Sequence, residues 1–275
     1  MSALPPETGG RAGRRGESPR LRLVVLPHAG GWPSAFRPWR GVLPPGVELL
    51  AGQFPGRGMR QGEPLLRRVE PLADGLGRAL MELEPLPFAV VGHSFGSVVA
   101  YELTRALERA GMPPELLVVS ARQAPCFPSR PPYAHLSSDA DLLRHVLRIG
   151  GTPAELAHRT DLMRRMLPAI RADLEALETY RRPVSGSTTS MLALGAVDDP
   201  LVEADRLSLW SLETTGEFTQ RTFSGGHFFI YQPEIAVQIT RLVMAAVGDP
   251  FLGRPGERRG NPASIGGTTV GSHST

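Results

Sequence analysis

One ten-residue run constrains the fold more than any other: Phe88-Ala89-Val90-Val91-Gly92-His93-Ser94-Phe95-Gly96-Ser97. Four apolar residues with the pattern of a buried strand lead into the pentapeptide Gly92-His93-Ser94-Phe95-Gly96. The stretch from Ser97 to Leu103 then opens a helix with apolar periodicity. A serine between two such elements sits on a sharp, strained turn. Glycines on either side of it lack a Cβ and let strand and helix approach closely. This strand–turn–helix setting marks a nucleophile elbow rather than an incidental Gly-rich turn. The Ser94 hydroxyl then stands above a sheet, and the Phe95 amide, at a helix N-terminus, is aimed at a developing oxyanion.

The rest of the chain supplies the sheet such a turn needs. Leu21–Leu26, Leu49–Gln53, Phe88–Val91, Leu116–Ser120 and Met191–Leu194 read as strands, nearly continuous apolar runs of the kind covered on both faces. Phe218–Phe223 reads as a last strand with alternation. Helical patterns lie around 69–83, 95–110, 203–213 and 234–247. Alternation of the two predicts an α/β fold, a mostly parallel central sheet flanked by helices. Residues 124–185 break the alternation. They begin with Pro125, Pro128, Pro131 and Pro132 and continue as helical patterns at Asp139–Arg148, with Asp139 as cap, and Asp161–Tyr180. An excursion of helices without a strand reads as a helical lid over an active site.

A serine needs a base. Of seven histidines, His227 follows the last strand within Phe223-Ser224-Gly225-Gly226-His227, where two glycines permit a tight loop. His93 adjoins the serine but points elsewhere on an elbow, which suits packing. His135, His145 and His158 fall in the lid as surface residues, and His273 in the C-terminal tail. The third member is a carboxylate after the strand Met191–Leu194, where Asp198 and Asp199 compete; the Asp199-Pro200-Leu201-Val202 run favours Asp199. The order Ser94, Asp199, His227 is that of an α/β-hydrolase fold. A second oxyanion amide is expected from Pro27-His28-Ala29-Gly30-Gly31, with Ala29 preferred and Gly30 the alternative; His28 would hold that loop.

Composition narrows the chemistry. All 30 basic residues are Arg, so P-loop lysines, Schiff-base lysines and Ser-Lys dyads are excluded. A single cysteine, Cys126, forms no intrachain disulfide and no multi-cysteine zinc site, reads as a buried or idle thiol, and fits a reducing cytoplasm. The formal charge of +3 resides in the ends: residues 1–20 and 251–275 each carry +2, leaving 3 − 4 = −1 for residues 21–250. The body therefore gives no argument for nucleic acid. Both Gly/Pro-rich ends, residues 1–20 and 251–275, are expected to be disordered tails around a domain at 21–250. No apolar stretch reaches the ~18 residues of a membrane span, and the start does not read as a signal peptide. Gly56-Arg57-Gly58 with Gly62 misses the dinucleotide fingerprint by one residue.

Together, Leu26-Pro27-His28-Ala29-Gly30-Gly31, Gln53-Phe54-Pro55-Gly56-Arg57-Gly58, Gly92-His93-Ser94-Phe95-Gly96 and Gly225-Gly226-His227-Phe228-Phe229, with Asp199-Pro200, resemble the type II thioesterases of polyketide and nonribosomal peptide synthetase clusters. The resemblance spans roughly residues 21–248. It implies hydrolysis of acyl thioesters from the phosphopantetheine arm of acyl carrier protein or peptidyl carrier domains, clearing stalled or aberrant acyl groups. No metal or soluble cofactor is expected, since the pantetheine belongs to the partner. The protein is expected to be a cytoplasmic monomer without nucleic-acid or membrane partners. A general carboxylesterase or an acyltransferase on the same triad is the alternative.

Overall fold

The apolar runs form one sheet of six parallel strands. A computed structural model describes residues 18–150 and 160–248. The strands are β1 (Leu21–Leu26), β2 (Val47–Ala51), β3 (Phe88–His93), β4 (Leu116–Ser120), β5 (Met191–Ala196) and β6 (Phe218–Phe223). They lie in the order β2-β1-β3-β4-β5-β6. Every pairing is parallel. In β1, β3, β4 and β5 every residue is buried, because helices cover both faces and leave no polar side to the pattern.

The helices are α1 (Arg37–Arg40), α2 (Val69–Met81), α3 (Phe95–Arg109), α4 (Asp139–Ile149), α5 (Thr160–Thr179) and α6 (Pro233–Ala246). On α2, Val69, Leu72, Ala73, Leu76 and Leu80 are buried at helical spacing, one apolar stripe laid on the sheet. They join residues of α3 and of β1, β3, β4 and β5 in one core. The opposite face of the sheet packs against Trp39 of α1 and Ile235, Ile239 and Val243 of α6. This is the α/β-hydrolase architecture expected from the sequence.

Three elements depart from expectation. β2 begins and ends two residues early: Val47 and Glu48 pair with Leu21 and Arg22, while the Gln53 side chain turns aside to donate to the Arg57 carbonyl at 3.1 Å. β6 shows no alternation, since Thr219–Thr222 are exposed and only the terminal phenylalanines are half-buried. It is an edge strand with a partner on one side only. The segment 203–213 is a 3-10 helix (Ala204–Glu213), not an α-helix. Tertiary anchors hold it there: Trp210 Nε1 donates to the Arg122 carbonyl at 2.8 Å, and buried Glu213 accepts from Tyr101 at 3.1 Å.

The helical insertion contains α4 and α5. The cap of α4 is Ser138, whose Oγ accepts from the Asp141 amide at 3.2 Å, so Asp139 is the first helical residue rather than the cap. The two helices meet over a small cluster of Leu142, Leu167 and Ile170. The far end of α5 joins the main core through Ala176 and Leu177. The far end of the insertion is thus moored to the body, while the cluster its two helices share has few buried residues. The expectations for residues 1–17, 151–159 (with His158) and 249–275 (with His273) lie outside the described residues.

Candidate active site

The chemistry gathers where β3 ends. Ser94 has φ 55° and ψ −116°, a left-handed strained conformation for a side-chain-bearing residue, worth about 1–3 kcal/mol. The surroundings impose it. A Cβ on Gly92 would lie 2.2 Å from the Gly96 carbonyl oxygen, and one on Gly96 would lie 2.3 Å from that of Leu26. The Ser94 amide donates to the Ser120 carbonyl at 2.7 Å. Ser97 Oγ completes the clamp: it donates within 2.9 Å of the Gly92 and Ser120 carbonyls and accepts from the Ser120 amide at 3.0 Å. In sequence Ser97 reads only as the start of a helix, because its partner lies on a strand distant along the chain.

Ser94 Oγ stands 2.9 Å from His227 Nε2. His227 Nδ1 lies 2.8 Å and 3.0 Å from the two oxygens of Asp199. A carboxylate at Nδ1 requires the proton there, leaving Nε2 free to accept from the serine. The side chains of His227 and Asp199 are 3% and 0% exposed, so water does not screen their attraction. The Leu201 amide donates to Asp199 Oδ1 at 2.8 Å and fixes the carboxylate. Asp198 is exposed, and its amide donates to the Gly225 carbonyl at 3.0 Å. Of the two competing acids, Asp199 is the one in contact with the imidazole.

The loop after β1 lies beside the serine. Gly31 N–H donates to the His28 carbonyl at 2.8 Å, and Gly30 N–H donates to Asp173 Oδ2 on α5 at 2.7 Å. The amides of Ala29 and Phe95 have no protein acceptor among the described residues. Gly30, the alternative donor, is already engaged. His28 Nδ1 lies 2.9 Å from the Tyr231 hydroxyl, which ties this loop to the chain following His227.

Two more histidines surround the base. The ring centroids of His93 and His227 are 5.4 Å apart, and those of His28 and His93 are 6.2 Å apart. Burial, reinforced by the charges of His227 and Arg57, lowers the His28 pKa to about 3. Burial, then His227 and His28, holds His93 well below the ordinary histidine value. Both are therefore neutral packing groups at pH 7, as expected for His93.

A cavity of about 290 Å³ opens onto Ser94 and His227. Val146 and Ile149 of α4 and Met166, Ile170 and Leu174 of α5 form its apolar wall. The expectation that His135 and His145 are surface residues does not hold. His145 is half-buried and lines this cavity. His135 bonds Glu178 through Nδ1 at 2.5 Å inside the insertion. Periodicity does not place either one, because the inner face of the insertion depends on how its helices fold back. Cys126 is a half-buried free thiol whose pKa burial raises. No group of three or more metal-ligating side chains occurs among the described residues, and no helix among them is long and apolar enough to cross a membrane.

A family profile described as a thioesterase domain matches residues 21–246. Thioesterase PikA5 of Streptomyces venezuelae is 39% identical over 239 residues, covering 84% of this chain and 83% of that protein. A probable cadicidin biosynthesis thioesterase of Streptomyces griseus is 35% identical over 217 residues, covering 78% of this chain and 60% of that longer protein. Among solved structures, the type II thioesterase BorB from the borrelidin biosynthetic cluster superposes with a TM-score of 0.77 at 36% identity, covering 87% of this chain and 97% of BorB. With its α/β-hydrolase sheet and a profile match over nearly the whole described body, the chain belongs to the thioesterase family, and type II thioesterases stand among the solved structures it resembles.

Proposed function

We propose that this protein hydrolyses acyl thioesters carried on the phosphopantetheine arm of acyl carrier protein or peptidyl carrier domains, with Ser94 as nucleophile, His227 as base and Asp199 as its orienting acid. The observation that carries this reading is the 2.9 Å approach of Ser94 Oγ to His227 Nε2 at the mouth of an apolar cavity. His227 takes the hydroxyl proton as Ser94 Oγ bonds to the thioester carbonyl carbon. The resulting oxyanion accepts from the amides of Ala29 and Phe95. The carbon–sulfur bond breaks, and the pantetheine thiol leaves with the proton from His227. Water, deprotonated by the same imidazole, then attacks the acyl-serine. The carboxylic acid departs and Ser94 recovers its proton. Asp199 stabilises the imidazolium in both halves. These steps draw on protein groups, the partner's arm and water. The apolar wall would take the acyl chain, and relatives named for biosynthetic clusters support removal of aberrant or stalled acyl groups as its use.

Acyl-loaded carrier domain is the substrate for the test. Ser94→Ala is expected to lower kcat at least about 10⁴-fold. Asp199→Asn is expected to lower it about 10³- to 10⁴-fold, the cost of the wrong imidazole tautomer, and Asp198→Asn to stay within about twofold. Undiminished hydrolysis by Ser94→Ala would sink the mechanism, and a larger loss from Asp198→Asn would reassign the acid. Faster turnover of simple oxyesters, or acyl transfer to an added alcohol or amine, would move the assignment to a general carboxylesterase or an acyltransferase.

A further inference from the structure

We propose that Asp173 and Arg57 are positioning residues for the oxyanion site: through the Gly30 amide they set the loop that presents the Ala29 N–H. This rests on the reading of Ala29 as an oxyanion donor. Asp173 lies on α5 of the helical insertion, and Arg57 lies in the loop after β2. Arg57 Nη1 and Nη2 donate to the two Asp173 oxygens at 2.6 Å and 2.7 Å. Their side chains are 5% and 0% exposed. Asp173 Oδ2 also accepts from the Gly30 amide at 2.7 Å. One carboxylate thus joins three segments, at residues 30, 57 and 173, that are remote in sequence.

A buried ion pair is a poor device for stability, because desolvation offsets most of its attraction. What it does well is fix geometry, and here the geometry concerns Ala29. The peptide between His28 and Ala29 is trans, so the Ala29 N–H points opposite to the His28 carbonyl. That carbonyl accepts from Gly31 N–H at 2.8 Å, which turns the Ala29 N–H away from the loop interior. The next peptide, between Ala29 and Gly30, is held by Asp173. Both planes flanking Ala29 are therefore locked, the second, among the described residues, by the carboxylate from α5. Gly30 itself has φ +72°, and a Cβ there would lie 2.3 Å from Ile170 Cγ1, one turn before Asp173. The insertion thus rests directly on the loop it orients. Arg57 is moored in turn: its carbonyl accepts from Gln53 Nε2 at 3.1 Å, and its guanidinium lies 5.5 Å from the Phe54 ring centroid.

An oxyanion donor acts in the transition state, so its displacement lowers kcat and leaves KM nearly unchanged. A pair that merely stapled the insertion to the body would instead raise KM, most for long acyl chains that fill the cavity. The experiment compares wild type, Asp173→Asn, Asp173→Leu and Ser94→Ala on one carrier domain loaded with acetyl or hexanoyl groups, with folding checked by circular dichroism. Asp173→Asn keeps an acceptor oxygen but loses the charge. It is expected to lower kcat about 10- to 100-fold for both acyl groups, with KM within about threefold. Asp173→Leu, with no acceptor, is expected to lower kcat further. A folded Asp173→Asn with wild-type kcat, or with the loss confined to KM, overturns the proposal. Should Asp173→Asn not fold, Arg57→Gln, which leaves the Gly30 acceptor in place but unmoored, is judged by the same criteria. Ser94→Ala separates the two levels: if it still hydrolyses, the reading of the site fails. If it is inactive while Asp173→Asn is unimpaired, only the positioning role fails.

Discussion

At the residue scale, the site depends on atoms that are absent. Gly92 and Gly96 are required because backbone, not a movable side chain, occupies the space a Cβ would need. Gly92→Ala or Gly96→Ala is expected to destabilise by about 3 kcal/mol or more, since the turn has no room to relax. Urea unfolding measures this, and a wild-type midpoint for either variant would show that the strand and helix can separate. The neutral histidines make a second prediction. His28 and His93 are held below the free histidine value of 6.5, so the unfolded chain binds protons there that the folded chain refuses. Their contribution is full above pH 6.5 and is lost as pH falls from 6.5 towards the folded values. Each adds up to ~1.4 kcal/mol per pH unit to the slope in that window. His93→Gln is expected to flatten the slope of unfolding free energy between pH 6.5 and 5 relative to wild type; identical slopes would mean that His93 titrates normally in the fold.

At the element scale, the helical insertion has the smallest buried cluster of the described structure. Its own core has three buried residues, Leu142, Leu167 and Ile170, while the layers on the sheet share two extensive ones. Local opening follows such differences in buried apolar contact. Leu142→Ala removes most of a fully buried side chain, at a cost of about 2–4 kcal/mol. That cost is expected to fall on the insertion. Amide hydrogen exchange in α4 should quicken at least about tenfold, with KM for carrier-bound acyl groups raised. Exchange in β3 and α3 should stay near wild type. Acceleration spread evenly over both regions would show that the insertion unfolds only with the body. The far end of α5 is held differently, by Leu177 in the main core and by Tyr180, whose hydroxyl donates to Glu102.

At the scale of the whole molecule, charge and fold are separable. A chain of residues 18–250 keeps every described element but discards the ends that carry the positive balance. We expect it to match the full chain in kcat/KM and to pass through a cation exchanger at pH 7.5 that retains the full chain; lost activity would assign the ends a role in catalysis. Much of the body was legible in sequence. Apolar runs with no polar side specify strands covered on both faces, and Gly-x-Ser-x-Gly between a strand and a helix specifies the turn that lifts Ser94. These are local properties of hydrophobicity and steric size, so they survive in one dimension. The loop glycines before His227 and the acids after β5 were legible for the same reason, though two adjacent aspartates looked alike. Only the fold distinguishes them, by turning Asp199 inward against His227 and leaving Asp198 exposed. The 3-10 character of Ala204–Glu213, the cavity face of His145 and the bond from Asp173 to Gly30 were not legible. Each depends on partners brought together from distant segments, as residues 30, 57 and 173 are. Composition and periodicity determined which elements form and which residue types they carry. Which groups meet, in what orientation and away from water, was decided by tertiary packing, because hydrogen bonds and charge pairs act over a few ångströms in space and not along the chain.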